Sequence, residues 1–137
     1  SQNILGGIVM VEKLQRLLKN SYSPYSHFAV SAIVVMKDGS EFSGVNVENA
    51  SYGASICAER SAIVSAISAG YGKDDFRSIN IMVGSNKVST CCFVCRQVIN
   101  EFFSGSSLVH CFSITGEEKT FTVDELCTYP FSEDDLK

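Results

Sequence analysis

Segments of strand character alternate with segments of helical periodicity along most of this sequence, and this order limits the folds open to it. Residues 28–36 and 41–47 are apolar, β-branched runs on either side of Lys37-Asp38-Gly39-Ser40, which predicts a β-hairpin. Helical patterns at 57–70 and 92–103 are each followed by an apolar run, at 78–83 and 108–114. The alternation predicts an α/β fold in which helices cover a sheet of mixed strand direction.

Both ends of the chain add elements to this core. Apolar residues recur at helical spacing between residues 7 and 20, which predicts an amphipathic first helix, and residues 120–123 predict a short fifth strand. The segment from Thr122 to Glu125 matches a capping box, so a brief helix should precede Pro130. We therefore expect one domain over residues 1–137, a three-layer α/β/α sandwich with a mixed five-stranded sheet. The pattern does not give the order of the strands.

Charge and hydropathy restrict the functions of such a domain. Asp and Glu number 15 against 11 Lys and Arg, and the sequence has no basic run, which disfavours binding of polymeric nucleic acid. No stretch approaches the roughly 20 apolar residues that cross a bilayer, and residues 1–11 lack the basic region and cleavage signature of an export signal. We therefore expect a soluble, cytoplasmic protein that does not contact a membrane.

The six cysteines are the main candidates for chemistry. A disulfide framework favours dispersed cysteines and an export signal, whereas Cys91, Cys92 and Cys95 are clustered. Cys92 and Cys95 begin one predicted helix and Cys57 begins another, and a helix N-terminus stabilises the thiolate that zinc requires. Three thiolates leave one tetrahedral position open, which is the coordination pattern of a catalytic zinc site.

Glu59 and two arginines complete this candidate site. Zinc lowers the pKa of bound water to about 7, and a neighbouring group must then accept and donate protons. Glu59, two residues after Cys57, is placed for that role. Because three thiolates leave an excess of negative charge around a divalent ion, Arg60 or Arg96 is expected to donate to the cysteine sulfurs.

Two other interpretations of the cysteines stay open. A C-x-x-C pair is often half of a structural zinc site, which needs a fourth ligand. His27 and His110 lie in apparent strand segments, where surface or core histidines are more common than metal ligands. A thioredoxin-like dithiol would explain Cys92 and Cys95, but not the segment that starts at Cys57.

Five motifs occur in order along the chain: YSPYSHFA at 22–29, GVNVENASYGA at 44–54, CAERSAI at 57–63, CFVCRQVINEF at 92–102 and TVDELCTYPFS at 122–132. Together they resemble the small, homotetrameric type of cytidine deaminase, and the resemblance runs from about residue 22 almost to the C-terminus. It implies the cytidine deaminase fold and one Zn²⁺ per subunit, held by Cys57, Cys92 and Cys95. It also implies that Glu59 transfers protons and that Arg60 moderates the thiolate charge.

The resemblance extends to the nucleoside-binding residues. It implies that Asn46 and Glu48 hold the ribose hydroxyls, and these two residues share one face of an extended segment. It further implies that Phe28 packs on the pyrimidine and that backbone groups around Ala58 contact the base.

A homotetramer is implied on the same grounds. In the family, the residues that match Tyr52 and Phe131 reach the active sites of neighbouring subunits. The active sites would therefore lie near subunit interfaces.

The segment around the last two ligands departs from the family pattern. Pro-Cys-Gly-Ala-Cys is usual there, whereas this chain has Cys91-Cys92-Phe93-Val94-Cys95. The bulk of Phe93 and Val94 is expected to narrow the pocket, shift the subunit contact or alter substrate choice. Cys91 is a competing thiol, because a Cys91/Cys95 pair is also spaced to bind zinc, but the family spacing favours Cys92.

The expected activity is zinc-dependent hydrolytic deamination of cytidine and 2'-deoxycytidine to uridine and 2'-deoxyuridine, with release of ammonia, in pyrimidine salvage. Glu59 would carry a proton from the attacking water to N3 while hydroxide adds to C4.

One alternative substrate is a modified cytosine nucleoside or an aminopyrimidine antibiotic. A nucleic-acid-editing deaminase is disfavoured by the net charge of −4. A zinc-stabilised binding protein without activity also stays open, and replacing Glu59 by Gln would distinguish it from an enzyme.

Overall fold

Strands β1 (Val30–Met36) and β2 (Glu41–Val45) form the hairpin that the sequence predicts. In the computed structural model, which describes residues 4–137, the turn between them places Gly39 at a φ of 90°, in the left-handed region that favours glycine. Residues on both faces of β1 are buried, which explains why all but one of its residues are apolar.

Three further strands complete one mixed sheet. They are β3 (Phe76–Val83), β4 (Leu108–Phe112) and β5 (Glu118–Thr122), and the spatial order is β2-β1-β3-β4-β5. Strands β3 and β4 are parallel, and the other neighbouring pairs are antiparallel. The expected mixed five-stranded sheet is confirmed.

Four helices cover the sheet: α1 (Ile4–Leu18), α2 (Ala58–Ser68), α3 (Phe93–Phe102) and α4 (Val123–Leu126). On one face, Leu14 and Leu18 of α1 pack against Ile33, Met82 and Phe112 of the sheet. The other three helices pack on the opposite face, where they form the larger core with β1, β3 and β4. Helix α3 supplies the crossover that the parallel strands β3 and β4 require. The three-layer α/β/α arrangement is confirmed.

Helix α2 lies in very close contact with strand β2. A Cβ atom added to Gly44 would lie 2.5 Å from the backbone nitrogen of Ala62 and 2.6 Å from the carbonyl oxygen of Ala58. Glycine is therefore the only residue that allows this approach. The approach fixes the N-terminal end of α2, where Cys57 and Glu59 are located.

Several elements begin or end at different positions from those that the sequence predicts; strand β2, for example, ends at Val45 rather than at residue 47. Helix α1 covers Ile4–Leu18 rather than residues 7–20. Strand β4 stops at Phe112 because the chain turns there: the backbone nitrogen of Glu117 donates to Ser113 Oγ, and Gly116 adopts a φ of 92°. The predicted strand extends two residues further, to Ile114, because this apolar residue prolongs the run.

The capping box at the start of α4 is confirmed. The hydroxyl of Thr122 accepts from the backbone nitrogen of Glu125 at 3.1 Å, and the Glu125 carboxylate accepts from the backbone nitrogen of Thr122 at 2.7 Å. Residues 1–3 of the expected domain lie outside the described residues. Within residues 4–137, no helix combines the length and hydrophobicity that a bilayer-spanning segment requires.

Candidate metal centre and active site

Three cysteine side chains converge where helices α2 and α3 begin. Cys57 immediately precedes α2, Cys92 immediately precedes α3, and Cys95 lies in the first turn of α3. Their sulfur atoms all lie within 4.8 Å of one another. Zinc–sulfur bonds of about 2.3 Å in a tetrahedral site separate two sulfurs by about 3.8 Å, so the three thiols fit one zinc ion per chain.

The other candidate metal ligands lie elsewhere. Cys91 is buried in the core, and burial raises the pKa of its thiol to about 12. His110 Nδ1 forms a hydrogen bond with Glu118 Oε2 at 2.9 Å, and His27 does not belong to the three-cysteine group. In the described part of the chain the group has three protein ligands, which leaves one tetrahedral position open.

The electrostatics of the cluster favour a thiolate. The Cys95 thiol donates to the Cys57 sulfur, and together with the nearby Arg60 guanidinium this lowers the pKa of Cys57 to about 5. The same hydrogen bond raises the pKa of Cys95. Arg60 Nη2 lies 3.9 Å from Cys57 Sγ and also donates to the carbonyl oxygen of Ser55 at 3.3 Å. A lowered pKa favours the thiolate form of Cys57, which is the form that binds a metal.

Arg60 and Arg96 were the two arginines expected to donate to the cysteine sulfurs. Of these, Arg60 is the one that contacts a cysteine sulfur. The hydrogen bonds of Arg96 run instead to oxygen atoms of residues 90, 91 and 126. The positive charge of Arg60 offsets part of the negative charge that three thiolates would place around a divalent ion.

Glu59 lies in the first turn of α2 and is only 5% exposed. Burial in this apolar surrounding raises the pKa of its carboxyl group above the ordinary value of 4.5. A carboxyl group whose pKa lies closer to neutrality can both accept and donate a proton. Its location beside the thiols therefore suits acid–base chemistry at a metal.

A cavity of about 330 Å³ opens beside the cysteines, a size that suits a small organic ligand. Four of the residues expected to contact a nucleoside line it, together with Cys57, Glu59 and Cys92: they are Phe28, Asn46, Glu48 and Ala58. The structure therefore brings most of the expected site residues to one place.

Asn46 and Glu48 also organise the cavity wall. Asn46 accepts from the backbone nitrogen of Val30 at 2.9 Å and donates to the carbonyl oxygen of Phe28 at 2.8 Å. The Glu48 carboxylate accepts from the hydroxyl of Ser26, which lowers the pKa of Glu48, and from two backbone nitrogens. An ionised carboxylate has about four acceptor positions, so Glu48 retains capacity for a hydroxyl of a ligand.

Tyr52 and Phe131 do not line the cavity of their own chain. Tyr52 is 78% exposed and packs against Tyr25, with the ring centroids 6.2 Å apart, beside a neighbouring hollow that also borders Glu48. Phe131 is 56% exposed, and its carbonyl oxygen accepts from Gln97 Nε2 at 2.9 Å. Both aromatic rings are therefore available to a second molecule.

Phe93 and Val94 are exposed and do not line the cavity of this chain. The expectation that they narrow the pocket is therefore not met within one chain, because the start of α3 directs both side chains away from it. The ring of Phe93 instead covers the guanidinium of Arg96, with 4.3 Å between the guanidinium carbon and the ring centroid.

The cavity has further lining residues that the sequence did not single out. Thr90 lies in the loop before α3, Ser55 precedes α2, and Ile81 and Val83 lie near the end of β3. Thr90 and Ser55 are each two residues before a predicted ligand, which is the one signal in the sequence that would have identified them.

Comparison of the sequence with known proteins identifies the family. A family profile described as the zinc-binding region of cytidine and deoxycytidylate deaminases matches residues 8–111. The cytidine deaminase of Halalkalibacterium halodurans is 34% identical over 128 residues, which cover 93% of this chain and 96% of that protein. The cytidine deaminase of Mycoplasma genitalium is 34% identical over 117 residues, which cover 85% of this chain and 88% of that protein.

Solved structures agree with these sequence similarities. The crystal structure of cytidine deaminase from Burkholderia pseudomallei superimposes with a TM-score of 0.85 at 35% identity, covering 90% of this chain and 97% of that one. The structure of cytidine deaminase from Mycobacterium tuberculosis gives a TM-score of 0.75 at 28% identity, covering 88% and 93%. The chain therefore belongs to the zinc-binding cytidine deaminase family.

Proposed function

We propose that this chain catalyses the zinc-dependent hydrolysis of cytidine to uridine and ammonia, and accepts 2'-deoxycytidine as a second substrate. The observation that carries the proposal is the position of the buried Glu59 beside three converged thiols, at a cavity of the size of a small ligand. Family membership supports the same reaction, because relatives of similar length are named cytidine deaminases.

Cys57, Cys92 and Cys95 would hold the zinc ion, which supplies a Lewis acid and lowers the pKa of a water molecule when bound. Arg60 would limit the negative charge on the sulfurs through its contact with Cys57. Helices α2 and α3 both present their N-terminal ends here, and this stabilises thiolates further.

Glu59 would carry both protons of the reaction. It accepts a proton from the attacking water and delivers it to N3 of the pyrimidine as hydroxide adds to C4. It then takes the proton of the new hydroxyl group and passes it to the amino group, which leaves as ammonia. The raised pKa of Glu59, which follows from its burial, suits a group that must accept a proton and then donate it.

The other lining residues would orient the nucleoside. Phe28 and Ala58 line the cavity; the Phe28 ring would pack on the pyrimidine, and backbone groups around Ala58 would contact the base. Asn46 and Glu48 would hold ribose hydroxyls, and neither needs the 2'-hydroxyl. Because Phe93 lies outside the cavity, no observation on this chain favours a modified nucleoside over cytidine.

The proposal extends to assembly and cellular role. We infer a single domain that forms a homotetramer, in which Tyr52 and Phe131 reach neighbouring active sites; their exposure supports this. All six cysteines are free, and zinc binding needs reduced thiols, which supports a cytoplasmic enzyme of pyrimidine salvage.

Ammonia release from cytidine is the direct test, with zinc quantified in the same sample. The zinc-loaded protein should turn over, and Glu59→Gln should retain zinc while its rate falls about 100-fold to 10,000-fold. Glu117→Gln, which changes an exposed carboxylate, is the matched control and should keep full activity. A protein that binds zinc but releases no ammonia from cytidine or 2'-deoxycytidine would contradict the proposal.

A further inference from the structure

Arg96 joins the loop before α3 to the end of α4 through three hydrogen bonds. Its Nε donates to the carbonyl oxygen of Cys91 at 2.9 Å, and its Nη2 donates to Thr90 Oγ1 at 2.8 Å. Its Nη1 donates to the carbonyl oxygen of Leu126 at 3.1 Å. Because a guanidinium is planar and its donors form a rigid fork, the three bonds hold the two segments in one relative position.

Two further contacts hold Arg96 itself in place. The Phe93 ring covers one face of the guanidinium at 4.3 Å, and the Cys127 thiol donates to the Arg96 carbonyl oxygen at 3.4 Å. Within residues 4–137, none of the ion pairs involves Arg96. Its donors are therefore directed to backbone and hydroxyl oxygens and not to a carboxylate.

Cys92 is the thiol of the cluster that most needs such support. Cys95 is fully buried in the first turn of α3, and Cys57 contacts Arg60. Cys92 is exposed, has an extended backbone with φ −67° and ψ 166°, and its side chain makes no capping bond to α3. The position of its sulfur therefore depends on the backbone beside it, and the carbonyl held by Arg96 is the one that immediately precedes Cys92.

We propose that Arg96 is a positioning residue of the metal centre. It fixes the backbone of residues 90–92 against the end of α4, and thereby places the Cys92 sulfur and the Thr90 wall of the cavity. Phe93, a departure from the small residue usual in the family, shields the same guanidinium. The proposal rests on the proposed function in one respect, that the three thiols bind zinc.

The test compares zinc retention in variants of Arg96 with that in a matched arginine control. Arg96→Met removes the fork and keeps a long apolar stem, whereas Arg77→Met alters an exposed arginine of β3 that donates to the carbonyl oxygen of Lys37 at 2.8 Å. The measurements are the rate of zinc transfer to a chelator and the sulfur-to-cobalt absorption of the Co²⁺-loaded proteins. We expect zinc release to be about 10-fold to 100-fold faster in Arg96→Met and a changed cobalt spectrum, with Arg77→Met like the unmodified chain.

Arg96→Lys distinguishes the effect of the three directed hydrogen bonds from the effect of the positive charge. A lysine keeps the charge but cannot direct three bonds, so its zinc release should be as fast as that of Arg96→Met. Recovery of slow release by lysine would overturn the proposal, because charge alone would then be sufficient. Equal release rates and identical cobalt spectra for Arg96→Met and Arg77→Met would also overturn it.

Thr90 provides a milder test if Arg96→Met does not fold. Thr90→Val removes one acceptor of Arg96 at nearly constant shape and should speed zinc release several-fold, whereas Thr90→Ser keeps the hydroxyl and should not. Equal release by both variants would overturn the proposal. These measurements need no turnover, so a chain that retains zinc but does not deaminate cytidine would refute the proposed function without affecting them.

Discussion

At the scale of single residues, the burial of Glu59 suits catalysis but lowers the free energy of unfolding. Burial raises the pKa of its carboxyl group above 4.5, whereas the unfolded chain exposes the same group to water. Between the two pKa values, the folded zinc-free chain binds a proton that the unfolded chain has released. The free energy of unfolding therefore falls as pH rises through this range. Residues that serve chemistry often carry such a cost in stability.

Replacing Glu59 by Gln should remove this pH dependence. A neutral amide needs no proton in the folded state, so the zinc-free variant should gain stability relative to the unmodified chain as pH rises above the ordinary carboxyl pKa of 4.5. Urea unfolding at several pH values measures the difference in free energy. Glu117→Gln reports the effect of losing one exposed carboxylate. A difference between Glu59→Gln and the unmodified chain that stays constant with pH would contradict the argument.

Arg60 should control how strongly protons compete with zinc. Loss of its contact with Cys57 raises the pKa of that thiol, which is now about 5. Arg60→Gln should therefore weaken zinc binding by about 10-fold to 100-fold, and by more near pH 6 than near pH 8. Competition titrations with a chelator at both pH values measure this, and Arg16→Gln on the exposed side of α1 is the control. An equal loss at both pH values would show that Arg60 does not act through Cys57.

Single residues were predictable from sequence where spacing and helix starts define them. The prediction grouped Cys57, Cys92 and Cys95 because each belongs to a helix N-terminus, and the structure brings their sulfurs together. It could not assign the partners of the two arginines, because Arg96 bonds to backbone oxygens whose positions depend on tertiary packing. The substrate-contact roles of the lining residues stay predictions.

At the scale of elements, the contact between α2 and β2 should be the most sensitive to substitution. A methyl group at Gly44 would lie 2.5 Å from the backbone nitrogen of Ala62, so one of the two elements must move. Gly44→Ala should lower the free energy of unfolding by about 1–3 kcal/mol, as overpacking does, and displace the helix that carries Glu59. Thermal or urea unfolding without zinc measures the loss of stability. The additional stability in the presence of zinc reports the displacement of α2, because Cys57 lies at the start of this helix.

Gly7 is the control for this substitution. It lies within α1, and an added Cβ there meets no atom within 4 Å. Because alanine favours a helix over glycine, Gly7→Ala should stabilise the chain by up to about 1 kcal/mol. If Gly44→Ala also stabilised the chain, the close approach of α2 to β2 would not be a constraint.

The type of each element was predictable, but the arrangement of the strands was not. Runs rich in apolar and β-branched residues identified the strands. The signal is clearest in β1 and β3, which are buried on both faces over most of their length. Strand order depends on pairing between segments that are distant in the sequence. Strand β1 lies between β2 and β3, β4 pairs with β3, and β5 is the edge strand beyond β4. The local sequence of a strand contains no information about which of its edges pairs with which neighbour.

At the scale of the whole molecule, one chain leaves several aromatic side chains uncovered. Tyr52, Phe93 and Phe131 are 78%, 77% and 56% exposed. Exposed aromatic side chains are enriched at interfaces between subunits. The proposed homotetramer accounts for them, and it implies that a complete active site contains residues from more than one chain.

Hybrid tetramers test whether neighbouring chains share an active site. Glu59→Gln chains lack the proton carrier but keep Tyr52, whereas Tyr52→Ala chains keep Glu59 and would lack the ring that they supply to a neighbour. When the two variants are produced together and purified through two different tags, some sites should combine an intact Glu59 with a Tyr52 from the adjacent chain. Cytidine turnover should then exceed the mean of the two separate variants.

A mixture of Glu59→Gln with Glu48→Gln is the control, because both changes lie in the cavity of a single chain and no hybrid restores either one. If neither mixture exceeded the mean turnover of its own two variants, Tyr52 would lie outside the shared site, and the structural reason for assembly at the cavity would be removed.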